Sequence, residues 1–148
     1  MQLRMELQSD PEMLCVVRAA LAQLAEKLGF PDSECRAVVL AVDEALTNII
    51  RHAYGGKTGL PITASFRCVE AGQHEAHKEA FEIVLEDQGV TVDRAKLCGR
   101  ALEDVRPGGL GLHFIRESMD EMEFSRSNDR NQLRLVKFLR TPEPAKGS

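Results

Sequence analysis

The stretch PDSECRAVVLAVDEALTNIIRHAY, residues 31–54, decides the fold. Pro31-Asp32 opens a helix, since proline fits a first turn and an acidic side chain suits its positive end. Cys35, Val38, Val39, Val42, Ala45, Leu46, Ile49, Ile50 and Ala53 then recur at helical spacing and form one broad apolar arc. Gly55-Gly56-Lys57-Thr58-Gly59 breaks it. Upstream, Leu14, Val17, Leu21, Leu24 and Leu28 make a second helical pattern. It starts at Ser9-Asp10-Pro11-Glu12, with a capping side chain, an early proline and an acidic first turn, and stops at Gly29. Two helices therefore follow one another with no strand between them.

Strand patterns lie on both sides. Leu3, Met5 and Leu7 alternate with Arg4, Glu6 and Gln8, as in a half-buried strand. Residues 60–69 and 80–87 read as two strands joined by the polar stretch Glu70–Glu79. Residues 94–107 mix charges without periodicity and read as a mobile loop with at most a short helix. Gly108-Gly109-Leu110-Gly111 leads into a helical pattern of Leu112, Ile115 and Met119. Strands at 122–127 and 132–140 follow, with Asn128-Asp129 in the turn between them. The order predicts an α+β fold: a two-layer sandwich with a mixed, mostly antiparallel sheet and its helices on one face. The βαβ alternation of a doubly wound parallel sheet is missing. One domain is expected over residues 1–140, followed by a frayed tail, Thr141–Ser148.

Composition narrows the function. The 148 residues are 43% hydrophobic and 28% charged, ordinary for a globular chain, and the net charge of −4 offers no basic footprint for nucleic acid. Aromatic residues make up 5%, with no Trp, too few for a base-stacking platform. No stretch approaches the ~20 apolar residues of a membrane span, and the N-terminus lacks the pattern of a signal peptide. Cys15, Cys35, Cys68 and Cys98 form no C-x-x-C pair and read as free thiols in a reducing cytoplasm.

Three places offer chemistry. Glu44 and Asn48 stand one helical turn apart, at an angle opposite the apolar arc. They read either as a solvated helix face or as a carboxylate base beside an amide oxygen suited to Mg²⁺, which takes few protein ligands. His52, one turn on, reads as a structural histidine. Asp87 shares parity with Phe81, Ile83 and Leu85. Either the strand frays before it, or its carboxylate is buried and must meet a donor such as an exocyclic amine. Gly89 follows where backbone can approach a ligand. The Gly108–Gly111 run is either a permissive loop or a turn that offers N–H groups to an anion. Two apparent motifs are rejected. Gly56-Lys57-Thr58 resembles the end of a P-loop, but Arg51 replaces the first glycine and a helix precedes it. His74-Glu75-Ala76-His77 lacks the spacing of a zinc helix.

Together these pieces resemble one family. Asp43-Glu44-Ala45-Leu46-Thr47-Asn48, continuing to Tyr54, resembles the N-box of the Bergerat-fold ATPases, the superfamily of gyrase and the histidine kinases. Asp87-Gln88-Gly89 is similar to their adenine-binding D-x-G box, and Gly108–Gly111 to their second glycine box. The order resembles the anti-sigma-factor serine kinase branch, over about Leu3 to Leu139. Many members carry D-x-G-x-G, whereas Thr91 stands at the second glycine here.

The resemblance implies that Glu44 is a general base, that Asn48 holds Mg²⁺, and that Asp87 accepts from the adenine amine in a pocket shaped by Gly89. It implies that Gly108, Gly109 and Gly111 cradle phosphates and that residues 94–107 form a lid, with Arg94, Lys96, Arg100 or Arg106 reaching the γ-phosphate. The expected activity is ATP-dependent serine/threonine phosphorylation of an anti-sigma-factor antagonist by a cytoplasmic homodimer that also binds a sigma factor. A non-catalytic anti-sigma regulatory module is the alternative. The detached ATPase domain of a histidine kinase is a third reading, weakened because no long dimerisation helix with a phosphoacceptor histidine is present.

Overall fold

A computed structural model describes residues 1–70, 79–90 and 111–139. The elements are β1 (Gln2–Gln8), α1 (Leu14–Lys27), α2 (Asp32–Asn48), β2 (Pro61–Glu70), β3 (Glu79–Asp87), α3 (Leu112–Ser118), β4 (Glu121–Ser127) and β5 (Arg130–Leu139). The five strands form one sheet in the order β1-β2-β3-β5-β4, and every described pairing is antiparallel. No parallel pair occurs among the described residues. Asn128 and Asp129 both take positive φ, 51° and 61°, which lets a two-residue turn join β4 to β5.

The helices cover one sheet face. Leu3, Met5 and Leu7 of β1 stand in register with Phe66, Ala64 and Ile62 of β2. Phe81, Ile83 and Leu85 continue that face on β3 and meet Leu133 and Leu135 of β5 nearby. Val17 and Leu21 of α1 and Val38, Val42 and Leu46 of α2 close the core above them. Phe30 and Phe66 both lie beside Phe81, at ring-centre distances of 6.2 and 6.3 Å.

Local chemistry explains the helix ends. Asp10, rather than Ser9, caps the first turn, accepting from the Glu12 N–H. Ser9 is fully buried instead. Its hydroxyl donates to the Lys57 carbonyl at 2.7 Å and accepts from the Leu60 N–H at 3.0 Å. The glycine-rich turn after α2 is thus tied to the end of β1. Gly29, at φ 91°, ends α1. The Gly29 N–H returns to the Glu26 carbonyl and that of Phe30 to Ala25, which satisfies the last helical carbonyls.

Helix α2 closes in a π-helical turn, Ile49–Ala53, where the apolar spacing predicts continued α-helix. His52 on that turn is exposed. Among the described residues no helix is long and apolar enough to cross a membrane.

Candidate functional site

Helix α2 brings the expected site residues together. From Ala41 on, the buried positions run in pairs: Ala41 and Val42, Ala45 and Leu46, then Ile49 and Ile50 in the π-helical turn. Glu44 and Asn48 fall between those pairs and are half-buried at the rim of the core, not on an open face. Gly111 faces Glu44. A Cβ on Gly111 would stand 2.9 Å from Glu44 Cδ and 3.2 Å from its Cγ. Gly111 also has φ 58°, a conformation that glycine adopts without strain. The last glycine of the second box therefore adjoins the N-box carboxylate. Gly108 and Gly109, the proposed lid and its cations Arg94, Lys96, Arg100 and Arg106 lie outside the described residues, as do Cys98, His74, His77 and Thr141–Ser148.

The other end of the same element meets the D-x-G box. Gly89 presses on Ala53, where a Cβ would lie 2.6 Å from the Ala53 carbonyl carbon and 2.7 Å from its Cβ. Only glycine fits that approach. The neighbouring Val90 N–H donates to the Ala53 carbonyl at 2.9 Å. Tyr54 fastens the same corner: its hydroxyl donates to the Pro61 carbonyl and accepts from the Gln88 N–H at 2.9 Å. From Glu44 to Ala53 is nine residues, about 13 Å of helix. The carboxylate and the D-x-G box are thus spaced on the scale of an extended nucleotide.

Asp87 does not fray into solvent. It is buried, 5% exposed, on the helix-facing side of β3. Its Oδ1 accepts from the Gly89 N–H and from Asn131 Nδ2, each at 2.8 Å. Oδ2 has no hydrogen bond among the described residues. Burial pushes the Asp87 carboxyl up, and the Asn131 and Gly89 donors and the Arg126 charge offset only part of that push. The result is an inward-facing acceptor with one oxygen committed to the protein.

Asn131 and Arg126 are additions that the sequence reading missed. Asn131 stands directly across from Asp87 in the β3–β5 register and is 2% exposed. A signal existed. Asn131, Leu133 and Leu135 share the inward face of β5, so Asn131 is a buried polar residue that needs partners.

The arrangement suits a nucleotide and a hard cation. Asp87 offers a carboxylate to an amine, the two glycines let backbone approach closely, and Asn48 offers an amide oxygen. Among the described residues no cluster of three His, Cys, Asp or Glu could hold a metal alone. Such a donor set fits Mg²⁺, which keeps waters and phosphate oxygens as ligands.

Fold and site define an ATP-binding domain, and comparison with known proteins agrees. The histidine kinase-like ATPase domain family matches residues 7–137. A serine-protein kinase RsbW of Halalkalibacterium halodurans is 31% identical, covering 95% of this chain and 85% of its own length. Another, from Bacillus pumilus, is 27% identical over 93% of this chain and 85% of its own. In fold, the chain resembles the solved RsbU and RsbW domains of a Mycobacterium tuberculosis protein, with a TM-score of 0.66 and 17% identity. That likeness covers 96% of this chain, which spans one third of the longer protein. A chain of the SiaB–SiaC complex of Pseudomonas aeruginosa has a TM-score of 0.55 at 17% identity, over 93% of this chain and 89% of its own. The chain belongs to the histidine kinase-like ATPase domain family, in its serine-protein kinase branch, and is an ATP-using phosphotransferase.

Proposed function

We propose that this kinase transfers phosphate from ATP to a serine or threonine of an anti-sigma-factor antagonist, and that it also binds a sigma factor. The observation that supports this reading most is the double docking of one helix. Glu44 of α2 lies against Gly111, and Ala53 at its end lies against Gly89. A base, a metal ligand and an adenine pocket then share one rigid support, and phosphoryl transfer depends mainly on positioning and electrostatics.

Each residue has one task. Asp87 accepts from the adenine amine, and Gly89 keeps the pocket wall close. Asn48 offers its amide oxygen to Mg²⁺, and Gly108, Gly109 and Gly111 give backbone room to the phosphates. When bound, Mg-ATP supplies the phosphoryl group and the cation that neutralises its charge. Glu44 takes the proton of the acceptor hydroxyl. Residues 1–140 act as one ATP-binding kinase domain followed by the tail 141–148, in the cytoplasm and as a homodimer. Neither nucleic acid nor membrane is a partner.

The test pairs nucleotide calorimetry with phosphate transfer to a candidate antagonist. Glu44→Gln is expected to keep Mg-ATP affinity and to lose about 10²–10⁴-fold in transfer, the usual contribution of a general base. Asn48→Ala is expected to weaken Mg-ATP binding and transfer together. Full transfer by Glu44→Gln refutes the base, and unchanged affinity in Asn48→Ala refutes the metal ligand. Tight nucleotide binding with no transfer to any antagonist would favour a purely regulatory module.

A further inference from the structure

The hydrogen bonds around Asn131 admit one orientation of its amide. Arg126 Nη1 donates to Asn131 Oδ1 at 2.7 Å and to the Gly89 carbonyl at 3.0 Å. On its other side Asn131 Nδ2 faces only acceptors: Asp87 Oδ1 at 2.8 Å, the Val90 carbonyl at 3.2 Å and the Gly89 carbonyl at 3.3 Å. A guanidinium can only donate, and an ionised carboxylate or a carbonyl can only accept. Turning the amide over would set Oδ1 against three acceptors and Nδ2 against a cation, so every contact would become repulsive.

We infer that Arg126 is a positioning residue for base selection, which acts through Asn131 to aim Asp87 at an exocyclic amine. The inference rests on the reading of Asp87 as the adenine acceptor. Arg126 touches neither the carboxylate nor, by this reading, the nucleotide. It fixes the amide by its oxygen, and the amide nitrogen then occupies Asp87 Oδ1. Oδ2 is left as the acceptor presented to the base. A purine with a 6-amino group donates to that oxygen, whereas one with a 6-oxo group brings an acceptor to it. The same Nη1 also donates to the Gly89 carbonyl, so the pocket wall and the carboxylate are set by one cation. Asp129, 3.7 Å from Arg126 Nη2, is fully exposed.

The experiment compares ADP with inosine diphosphate, which carries oxygen in place of the amine, by calorimetry with Mg²⁺. Arg126→Leu is expected to shrink the preference for ADP by about tenfold, the worth of a charge-assisted hydrogen bond. Arg126→Lys keeps a donor-only cation and is expected to restore part of it. In an Asn131→Ala background, Arg126→Leu is expected to leave the remaining ADP preference unchanged, because the two act on it as one unit. An equal loss for both diphosphates, or additive effects in the double variant, overturns the proposal. Asp87→Asn separates the two claims. If it abolishes the preference while Arg126→Leu leaves it intact, Asp87 stands and the role of Arg126 falls. If Asp87→Asn leaves the preference unchanged, both fall.

Discussion

Burial holds the Asp87 carboxyl above its ordinary value even with two hydrogen bonds and a nearby guanidinium. A raised carboxyl means that the folded state keeps its proton more tightly than the unfolded chain does. Stability therefore falls as pH climbs from about 4, the unfolded value, through the higher folded value, and stays lower above it. Asp87→Asn removes that loss, and the new side chain still offers an oxygen to Gly89 and Asn131. Thermal unfolding without nucleotide is expected to show the variant gaining on wild type between pH 4 and pH 7. A variant that loses ground over that range contradicts the assignment. On the proposed reading the same substitution is expected to weaken nucleotide binding, a trade of stability for function.

At the scale of elements, α2 is the part on which the rest is hung. Gly89→Ala tests that. Its Cβ would collide with Ala53 backbone, which cannot swing aside as a flexible side chain can. Overpacking of this kind costs about 1–3 kcal/mol. Both the melting temperature and nucleotide affinity are expected to drop, and an unchanged affinity would show that the corner is dispensable. The opposite sheet face obeys different electrostatics. Glu82 is buried, 4% exposed, between Arg67 Nε and Arg134 Nε, at 2.5 and 2.7 Å. Burial alone would raise its carboxyl, but the bonds and charges of Arg67 and Arg134 hold it below the ordinary range. This stabilisation is complete above the unfolded value and is lost as pH falls through the folded one. Glu82→Gln is expected to cost about 1–3 kcal/mol at pH 7. Chemical denaturation at successive pH values is expected to show that gap closing below about pH 4. A gap that widens in acid would reverse the sign assigned here.

For the whole molecule, the element ends were legible because glycine and proline punctuate them. Gly29, Pro31, the Gly55–Gly59 run and Asn128-Asp129 all fall where the chain turns. The second neighbour of β3 was not legible, since β5 pairs with it from beyond an intervening strand and helix. That distance also hid Asn131 and Arg126, whose roles exist only in cross-strand register. Tyr54 read merely as a helix end because its partners, Pro61 and Gln88, belong to other elements. The π-helical turn left no trace, because the apolar spacing runs through it unchanged. Glu44, Asn48, Asp87 and Gly89 stood out in the sequence; the first two lie on α2, Asp87 ends β3, and Gly89 packs on Ala53 in the turn that closes α2.

The sheet order also bears on assembly. Among the described residues β1 is an edge strand, whose outer backbone groups could pair with a second copy across a two-fold axis. Light scattering is expected to give twice the chain mass of 16.4 kDa. A species that stays at the single-chain mass at high concentration rules the homodimer out.

The central place of β3 sets a timetable for the growing polypeptide. Its second neighbour is made last among the described strands, and Asn131 emerges 44 positions after Asp87. At about 5–20 residues per second, a ribosome needs roughly 3–10 s to pass from the end of β3 to the end of β5. Until then β3 has a bare edge and Asp87 has no Asn131 to hold it. On the proposed reading of Asp87, nucleotide cannot act as a template for the nascent chain, because that pocket is among the last features to be completed.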